Sequence, residues 1–508
     1  MILIHPPVAK PCEPPGGIAK LAGALAHHGI KHTVLDANLE GLLSLILGPA
    51  MATDRWTVRA FRNRHQHLAA LRKPSIYRTP DRYRRAISDV NRLAETAARE
   101  KSVQLSLANY QHLALSPLRS ADLRRAARHP DNNPFYDYFK DRLETIFERD
   151  QPSVVGFSLN YLSQALSTFA MLGFIRQQWP ELTLVVGGGL LTSWMQQPDW
   201  QNPFEDLVDH LVAGPGEAAL LSLREPPGVQ NATTTYYRPV YRSFPLADYL
   251  APGVILPYSA STGCYWNRCT FCPEKAEGNP YVAVPVGRVM EDLAVLVRQT
   301  SPTMIHFLDN AVSPALMEAI IKQPPGVEWY GFARINHHLA DLEFCMGLKR
   351  SGCTMLKLGL ESGDQSVLDG EQKGIDLKLA SQTLQNLKKA GIAAYVYLLF
   401  GTPSETITQA RATLDFSVKH GDEIDFLNLA IFNLPRCAPQ ARQFETNMLY
   451  EGDLSLYTGF RHPKGWDRKS VRIFLDKEFK RHPVIRRILL QDPPLFTSNH
   501  AAFFNFGF

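Results

Sequence analysis

The stretch Ser261-Thr-Gly-Cys264-Tyr-Trp-Asn-Arg-Cys269-Thr-Phe-Cys272-Pro-Glu274 places three thiols within nine residues of a 508-residue chain that holds only seven cysteines. Three thiolates can hold three irons of a [4Fe–4S] cluster. A closed zinc site or a fully ligated cluster needs a fourth ligand, and none follows nearby. The fourth iron would stay open and could take a small molecule through an amine and a carboxylate. Two other uses of the trio stand beside this one: a zinc loop completed by a distant Cys or His, and a disulfide with a spare thiol. The disulfide sits badly with the composition, because seven cysteines with three clustered do not form a secreted framework and fit a reducing cytoplasm better.

The spacing resembles the radical S-adenosylmethionine (SAM) superfamily, whose usual motif is Cys-x3-Cys-x-aromatic-Cys. Phe271 occupies the aromatic position, and the first gap holds four residues instead of three, which enlarges the first loop. The resemblance implies Cys264, Cys269 and Cys272 as cluster ligands, with SAM on the open iron beside Phe271.

Outward from this loop the chain alternates strand and helix. Val254 to Ala260 is a strand running into the cysteines, followed by strands at Met304–Leu308, Glu328–Ala333, Thr354–Leu360, Ile392–Phe400 and Glu423–Ile431. Helical periodicity fills the intervals between them. Six βα repeats over residues 253–440 predict a partial (β/α)6 barrel with its chemistry at the carboxyl ends of the strands. Asp309, Arg334, Glu361-Ser362-Gly363 and Gly401-Thr402-Pro403 stand at those ends. By resemblance, Gly359 to Gly363 with Lys373-Gly374 is the stretch that contacts the ribose and amino acid of SAM. Leu399 to Glu405 resembles the strand end beside adenine, and Asp309 and Arg334 match an acidic and a basic position of these families. The SAM-binding candidates are therefore Phe271, Asp309, Arg334, Glu361, Ser362 and Gly401, with Asp309 and Arg334 also the catalytic candidates. The bland alternatives are that Ser404 caps its helix and Glu361 is a solvated strand-end charge.

The first 225 residues show the same α/β rhythm. A short apolar strand, Ile2 to Ile4, leads into His5-Pro6-Pro7 and a Pro/Gly-rich loop. A helix from Ile18, a strand His32–Asp36 and a basic helical insertion at about 51–150 follow. Strands at Ser153–Ser158, Leu182–Val186 and Asp209–Ala213 then resume the pattern, the last two ending in Gly187-Gly188-Gly189 and Gly214-Pro215-Gly216-Glu217. This predicts a doubly wound, Rossmann-like parallel sheet with a ligand crevice at its carboxyl edge, where glycines let a flat ligand approach the backbone. These loops resemble the cobalamin-binding domain that precedes many radical SAM domains. The resemblance implies cobalamin contacts from Pro14, Gly16, Ser158, Asn160, Tyr161, Gly187, Gly188, Gly189, Gly214, Gly216 and Glu217. There is no Asp-x-His-x-x-Gly motif, so no histidine ligand to cobalt is expected.

Residues 226–252 read as a linker and 441–508 as a C-terminal capping segment whose phenylalanines are docked. His500 and Asn499 are candidates to reach the substrate, although a satisfied structural histidine is the plainer reading. Cys345, Cys353 and Cys437 read as buried thiols, with Cys12 more exposed. No signal peptide and no run of eighteen apolar residues is present, so neither export nor a membrane span is expected.

The net charge is a mild +5, with 45% hydrophobic and 20% charged residues. Residues 51–150 carry twenty Lys and Arg against twelve Asp and Glu. Solvated faces of amphipathic helices explain that excess more simply than an anionic partner does. With neither an RNA-binding motif nor an aromatic platform, nucleic acid is not the expected partner.

The family resemblance implies a cobalamin-dependent radical SAM enzyme that methylates an unactivated carbon of a small molecule or peptide. It also implies an external one-electron donor such as flavodoxin or ferredoxin. A rearrangement or cyclisation using the same parts, and a non-catalytic iron–sulfur carrier, are the alternatives.

Overall fold

The computed structural model describes residues 1–49, 54–223, 236–493 and 500–507. The chain divides into two compact units. One is built mainly of Met1–Val254 with Tyr450–Leu456, the other of Ile255–Leu449 with Tyr457–Pro493 and the terminal helix His500–Gly507.

In the first unit five strands form one parallel sheet: β1 (Ile2–His5), β2 (Thr33–Asp36), β3 (Val154–Ser158), β4 (Thr183–Gly187) and β5 (His210–Leu211). Their order is β2-β1-β3-β4-β5. β1 and β3 are buried along their whole length, as a sheet covered on both faces requires, so neither shows the polar alternation of a half-exposed strand. The order reverses between β1 and β3, and a doubly wound sheet opens its crevice at that switch point.

The insertion is mostly helical, as its periodicity predicts. Arg55–Leu71 and Pro80–Ala98 pack together and bury Tyr83, Ile87, Val90 and Leu93, while Arg55, Arg62, Arg82 and Arg85 face solvent. Buried Asp89 accepts from Trp56 Nε1 (2.6 Å) and Arg59 (2.9 Å) and lies 3.1 Å from His67 Nε2. An antiparallel hairpin, Val103–Leu105 with Tyr110–His112, interrupts the helices. Its buried Val103, Leu105 and Tyr110 alternate with exposed Gln104 and Gln111, a two-residue period too short to stand out between long helices.

The polar run at Asn231 lies outside the described residues, but residues 236–252 pack into the first unit. Tyr237, Tyr241, Phe244 and Tyr249 are buried. Tyr249 donates to Asp36 at 2.5 Å, and Leu250 N donates to Pro11 O at 2.8 Å. That packing also covers Cys12, which is 1% exposed, in contrast to the expectation of a more exposed thiol. Part of the expected capping segment belongs here too: Asp453 accepts from Ser120 N at 2.9 Å, and Glu451 pairs with Arg119 at 2.6 Å.

In the second unit six parallel strands follow in sequence order: β6 (Ile255–Tyr258), β7 (Met304–Phe307), β8 (Glu328–Ala333), β9 (Cys353–Glu361), β10 (Ala393–Phe400) and β11 (Phe426–Ile431). A helix follows each of the first five strands, giving the expected partial barrel. The helix His500–Gly507 docks at the amino-terminal ends of the strands. His500 is buried with its ring 4.3 Å from Tyr395 and Nε2 3.3 Å from Asp492, and Asn505 donates to Glu328. The structural reading of His500 therefore holds, and Asn499 lies outside the described residues.

Gly173, within the helix Leu162–Gln178, is crossed by the helix Ser120–Arg128, and a Cβ there would stand 1.9 Å from Ala127 O. Alanine normally stabilises a helix interior relative to glycine by about 1 kcal/mol. Here Gly173→Ala is expected to destabilise the protein by about 1–3 kcal/mol through overpacking, read as a lower urea midpoint.

Candidate functional site

The cysteine loop is tied at its base before the first thiol. Ser261–Thr262 pair antiparallel with Val282–Ala283. Gly263 has φ +67°, and a Cβ on it would lie 2.4 Å from Pro280 O, so the tight return admits only glycine. Asp309, at the end of β7, accepts from Ala260 N (3.0 Å) and Ser261 Oγ (2.5 Å). The candidate acid thus fastens the loop to the barrel, and burial raises its pKa.

Cys264, Cys269 and Cys272 are half-buried free thiols. Burial pushes the Cys269 thiol up, opposed by the Lys373 and Arg334 cations. It also pushes Cys272 up, opposed by the N–H groups of Lys275 and Glu274 in the short helix that Cys272 opens. Both sets of donors favour the thiolate form that a metal requires. Among the described residues no three His, Cys, Asp or Glu side chains gather as holders of a single metal ion.

A second loop, Glu371 to Gly374, clasps the first. Glu371, 5% exposed, accepts from Thr270 Oγ1 on one carboxylate oxygen and from Ser404 Oγ (2.6 Å) on the other, while its carbonyl accepts from Thr270 N (3.0 Å). Gln372 O accepts from Trp266 Nε1 at 3.0 Å. Arg334 stacks its guanidinium 3.8 Å above the Trp266 ring and donates to the carbonyls of Lys373 and Gly374. Gly374 has φ +62°, and a Cβ there would collide with the indole at 2.2 Å. Lys373 reaches back to Glu361 (2.8 Å) and lies 5.6 Å from the Phe271 ring centroid. Glu361 is therefore an ion-pair partner and not a solvated charge. Phe271 itself packs on Phe432, Leu434 and Ala438.

The end of β10 forms the third wall. Gly401, at φ +81°, donates its N–H to Glu405 at 2.5 Å, and Trp466 Nε1 donates to the same oxygen at 2.8 Å. Glu405 is fully buried, its other oxygen has no hydrogen-bond partner, and burial pushes its pKa up to about 7. Thr406, not Ser404, caps the following helix, which leaves the Ser404 hydroxyl for Glu371. Ser362 is turned inward: its hydroxyl lies 3.1 Å from Thr413 Oγ1 and accepts from Asp364 N.

The structure thus sets Arg334 and Glu361 beside Cys269, packs Phe271 on Phe432, ties Asp309 to the base of the cysteine loop, bonds Gly401 to Glu405 at the end of β10, and buries Ser362. Trp266, Glu371 and Glu405 were missed by the sequence reading. Trp266 and Glu371 lie in loops with no periodicity, and Glu405 reads as an ordinary first-turn acid. The only signal was the proximity of Trp266 to the cysteines.

In the first unit the candidate residues meet at the β1/β3 edge. Asn160 donates to Ser158 Oγ (3.0 Å) and accepts from Gly189 N (3.0 Å), joining two strand ends. Gly188, at φ +109°, lies against Leu159, where a Cβ would stand 2.4 Å from its carbonyl oxygen. Cβ atoms on Gly17 and Gly189 would meet only Ser158 Oγ (3.9 Å) and Asn160 Oδ1 (3.8 Å), and one on Gly214 would meet nothing within 4 Å. These rims are open to a flat ligand. Pro14 is buried, Gly16 begins the first helix, Tyr161 is exposed at a helix start, and Gly216 lies against Leu21. Glu217 pairs with Lys20 at 3.0 Å.

The Radical SAM superfamily model matches residues 258–417. These residues form a radical SAM domain. The chain that carries it is 29% identical over 249 residues to an uncharacterised methyltransferase of Pyrococcus horikoshii, covering 45% of this chain and 52% of that protein. It is 25% identical over 280 residues to the hopanoid C-3 methylase of Methylococcus capsulatus, covering 49% and 53%. The chain spans about half the length of these curated relatives. Its fold is similar to that of the radical S-adenosylmethionine methyltransferase TsrM from Kitasatospora setae, solved with cobalamin and a [4Fe–4S] cluster. The TM-score is 0.53 at 16% identity, covering 89% of this chain and 81% of that one.

Glu405 has a folded-state pKa above its ordinary 4.5, so its contribution to stability is full below pH 4.5 and is lost as pH rises to about 7. The shift corresponds to about 3 kcal/mol. Glu405→Gln is expected to flatten the dependence of urea stability on pH across that window. Trp266→Ala is expected to free the cysteine loop, read as faster alkylation of Cys269 in the metal-free protein with little change in global stability.

Proposed function

We propose that this chain is a cobalamin-dependent radical SAM enzyme, and specifically a methyltransferase acting on carbon. The observation that carries the reading is the three-thiol loop held at the carboxyl mouth of a six-stranded parallel barrel within a matched radical SAM domain. The thiol set fits a cluster with one open iron: three thiols stand within nine residues of one loop, two cations favour the ionised form of Cys269 and two backbone N–H groups that of Cys272, and the described residues offer no group of three His, Cys, Asp or Glu for a single metal ion. The glycine rims of the first unit support a second, flat cofactor at the β1/β3 edge.

Cys264, Cys269 and Cys272 would hold the cluster, and the rims at Gly17, Gly187–Gly189 and Gly214 would receive the corrinoid. When bound, these groups supply an electron to cleave SAM and a methyl group to transfer. The chain's own residues position and enclose. Arg334 and Trp266 stack beside the thiols. Glu361 and Lys373 present a paired acid and base to the ribose and amino acid of SAM, and Gly401 offers a side-chain-free backbone edge to adenine. The names of the relatives, a methyltransferase and a hopanoid methylase, support methyl transfer over a rearrangement or an electron carrier. A small one-electron donor protein is required as reductant, and the enzyme works in the cytoplasm.

Anaerobic reconstitution with iron, sulfide, cobalamin and SAM, followed by product analysis, tests this. Methyl transfer to an unactivated carbon predicts 5′-deoxyadenosine together with S-adenosylhomocysteine. 5′-Deoxyadenosine alone would replace methyl transfer by another radical reaction, and neither product would leave an electron carrier. Cys269→Ala is expected to abolish SAM cleavage completely, and surviving cleavage would overturn the ligand assignment.

A further inference from the structure

Among the described residues, a surface cavity of about 490 Å³ opens beside the short helix Pro483–Leu489, lined by Arg481, Pro483, Arg486, Arg487, Leu490 and Gln491. The helix is seated on the turn ahead of β11. Arg487 donates to Gly421 O at 3.0 Å, and a Cβ on Gly421 would stand 2.2 Å from Val484 Cγ1. Ile485 and Ile488 are buried while Arg481, Arg486 and Arg487 are exposed, so the segment is fixed by its apolar face and turns its guanidiniums outward. The thiol loop follows β6, at the carboxyl ends of the parallel strands, whereas Gly421 precedes β11. The cavity therefore lies at the opposite end of the barrel from the cysteines.

Its charge is unbalanced. Arg487 is paired with Asp422 at 2.7 Å, but Arg481 and Arg486 have no acid partner among the described residues. The acids that flank the lining in sequence are engaged elsewhere: Asp476 with Lys480 (2.8 Å), Glu478 with Arg411 (2.8 Å), and Asp492 with His500 (3.3 Å). One concavity thus gathers three guanidiniums against the single carboxylate of Asp422, a surplus of two positive charges. Solubility is served as well by dispersed cations, which do not repel one another. A guanidinium is a planar fork that grips phosphate oxygens in pairs, and a phosphate monoester carries a charge of about −2 above its second pKa of about 6. That charge matches the surplus. Pro483 and Leu490, the latter 67% exposed, add an apolar rim.

We propose that this cavity binds a phosphate monoester with an apolar body. Arg481 and Arg486 take its oxygens, and Leu490 and Pro483 receive its carbon chain. A soluble phosphate ester and the headgroup of an anionic lipid present the same chemistry. A ligand held here stands away from the thiol loop, so it is anchored and not transformed, and the site does not depend on the radical SAM reading.

The probes are hexyl phosphate, hexyl sulfate and inorganic phosphate, titrated at pH 8 into the full-length protein by calorimetry. Charge-assisted hydrogen bonds to a phosphate correspond to about tenfold in affinity or more. Hexyl phosphate is expected to bind at least about tenfold more tightly than hexyl sulfate, which carries one charge fewer, and more tightly than inorganic phosphate, which lacks the chain. Arg481→Gln combined with Arg486→Gln is expected to weaken hexyl phosphate binding at least about tenfold with no change in the urea midpoint, since both side chains are exposed. Arg82→Gln combined with Arg85→Gln removes two exposed cations from the insertion and is expected to leave binding unchanged. Equal affinity for hexyl phosphate and either comparison ligand, or equal losses in the two double variants, would overturn the proposal, as would absence of hexyl phosphate binding. Sedimentation with phosphatidylcholine vesicles containing phosphatidate then separates the sources. Vesicle binding that the Arg481→Gln/Arg486→Gln variant loses identifies a lipid headgroup, and vesicle binding that is absent or unaffected by that variant identifies a soluble ester. None of these measurements involves SAM cleavage, so failure here leaves that result standing and the converse holds too.

Discussion

A loop of nine residues carrying three thiols has almost no core of its own, so its shape is set by what grips it. The grip is the carboxylate of Glu371, which accepts from Thr270 of the cysteine loop and from Ser404 after β10. One buried group thereby ties three separate elements, and its backbone carbonyl adds a second hold on Thr270. These bonds are accepted from hydroxyl or amide donors, and removal of the carboxylate would leave those donors unpaired in a dry site. Trp266, pinned between Gln372 O and the Arg334 guanidinium, closes the other side. Two sequence-distant loops thus form one rigid mouth.

Both units apply the same constraint. A parallel strand buried on two faces can offer polar groups only where it ends, so Ser158, Gly187, Asp309, Arg334, Glu361 and Gly401 all stand at carboxyl termini. The second unit adds an inner surface, because closing the sheet into a partial barrel turns alternate residues inward. That is why Lys357 and Tyr397 can be polar in strands that otherwise read as apolar runs.

This accounts for what could be read from the sequence. The strands and most helices were legible because apolar runs and 3.6-residue periods report burial directly: Glu328–Ala333 begins and ends where its apolar run does, and helices fill the intervals between the barrel strands. The cysteines were legible because spacing is itself the chemistry. Glu371 was not, since its role depends on a hydroxyl 101 residues away and nothing local distinguishes it from a solvated glutamate. Ser362 was misplaced for the converse reason: its neighbours reach the mouth, while its own side chain turns to Thr413. Residues 226–252 read as a linker by Pro226-Pro227 and the polar run at Asn231, but Tyr237, Tyr241, Phe244 and Tyr249 are buried, and such anchors need a surface to be read against.

The charge balance at the mouth bears on what it can hold. Once the thiols ionise, Cys264, Cys269 and Cys272 stand with Asp309, Glu361 and Glu371 against Arg334, Lys373 and Arg268, whose guanidinium lies 5.0 Å from the Trp266 ring centroid. Asp309 and Glu371 are already engaged in fastening the loop, and Glu361 is neutralised by Lys373. The unbalanced charge is therefore that of the thiolates themselves, beside the two guanidiniums of Arg268 and Arg334 on Trp266. Metal ligands are thiolates, so uptake of metal by these thiols would be coupled to proton release. A closed mononuclear site would need a further protein anion brought into the same space. An iron cluster held by Cys264, Cys269 and Cys272 would instead supply positive charge against the thiolates. The electrostatics of the loop thus favour the same occupant that its spacing does.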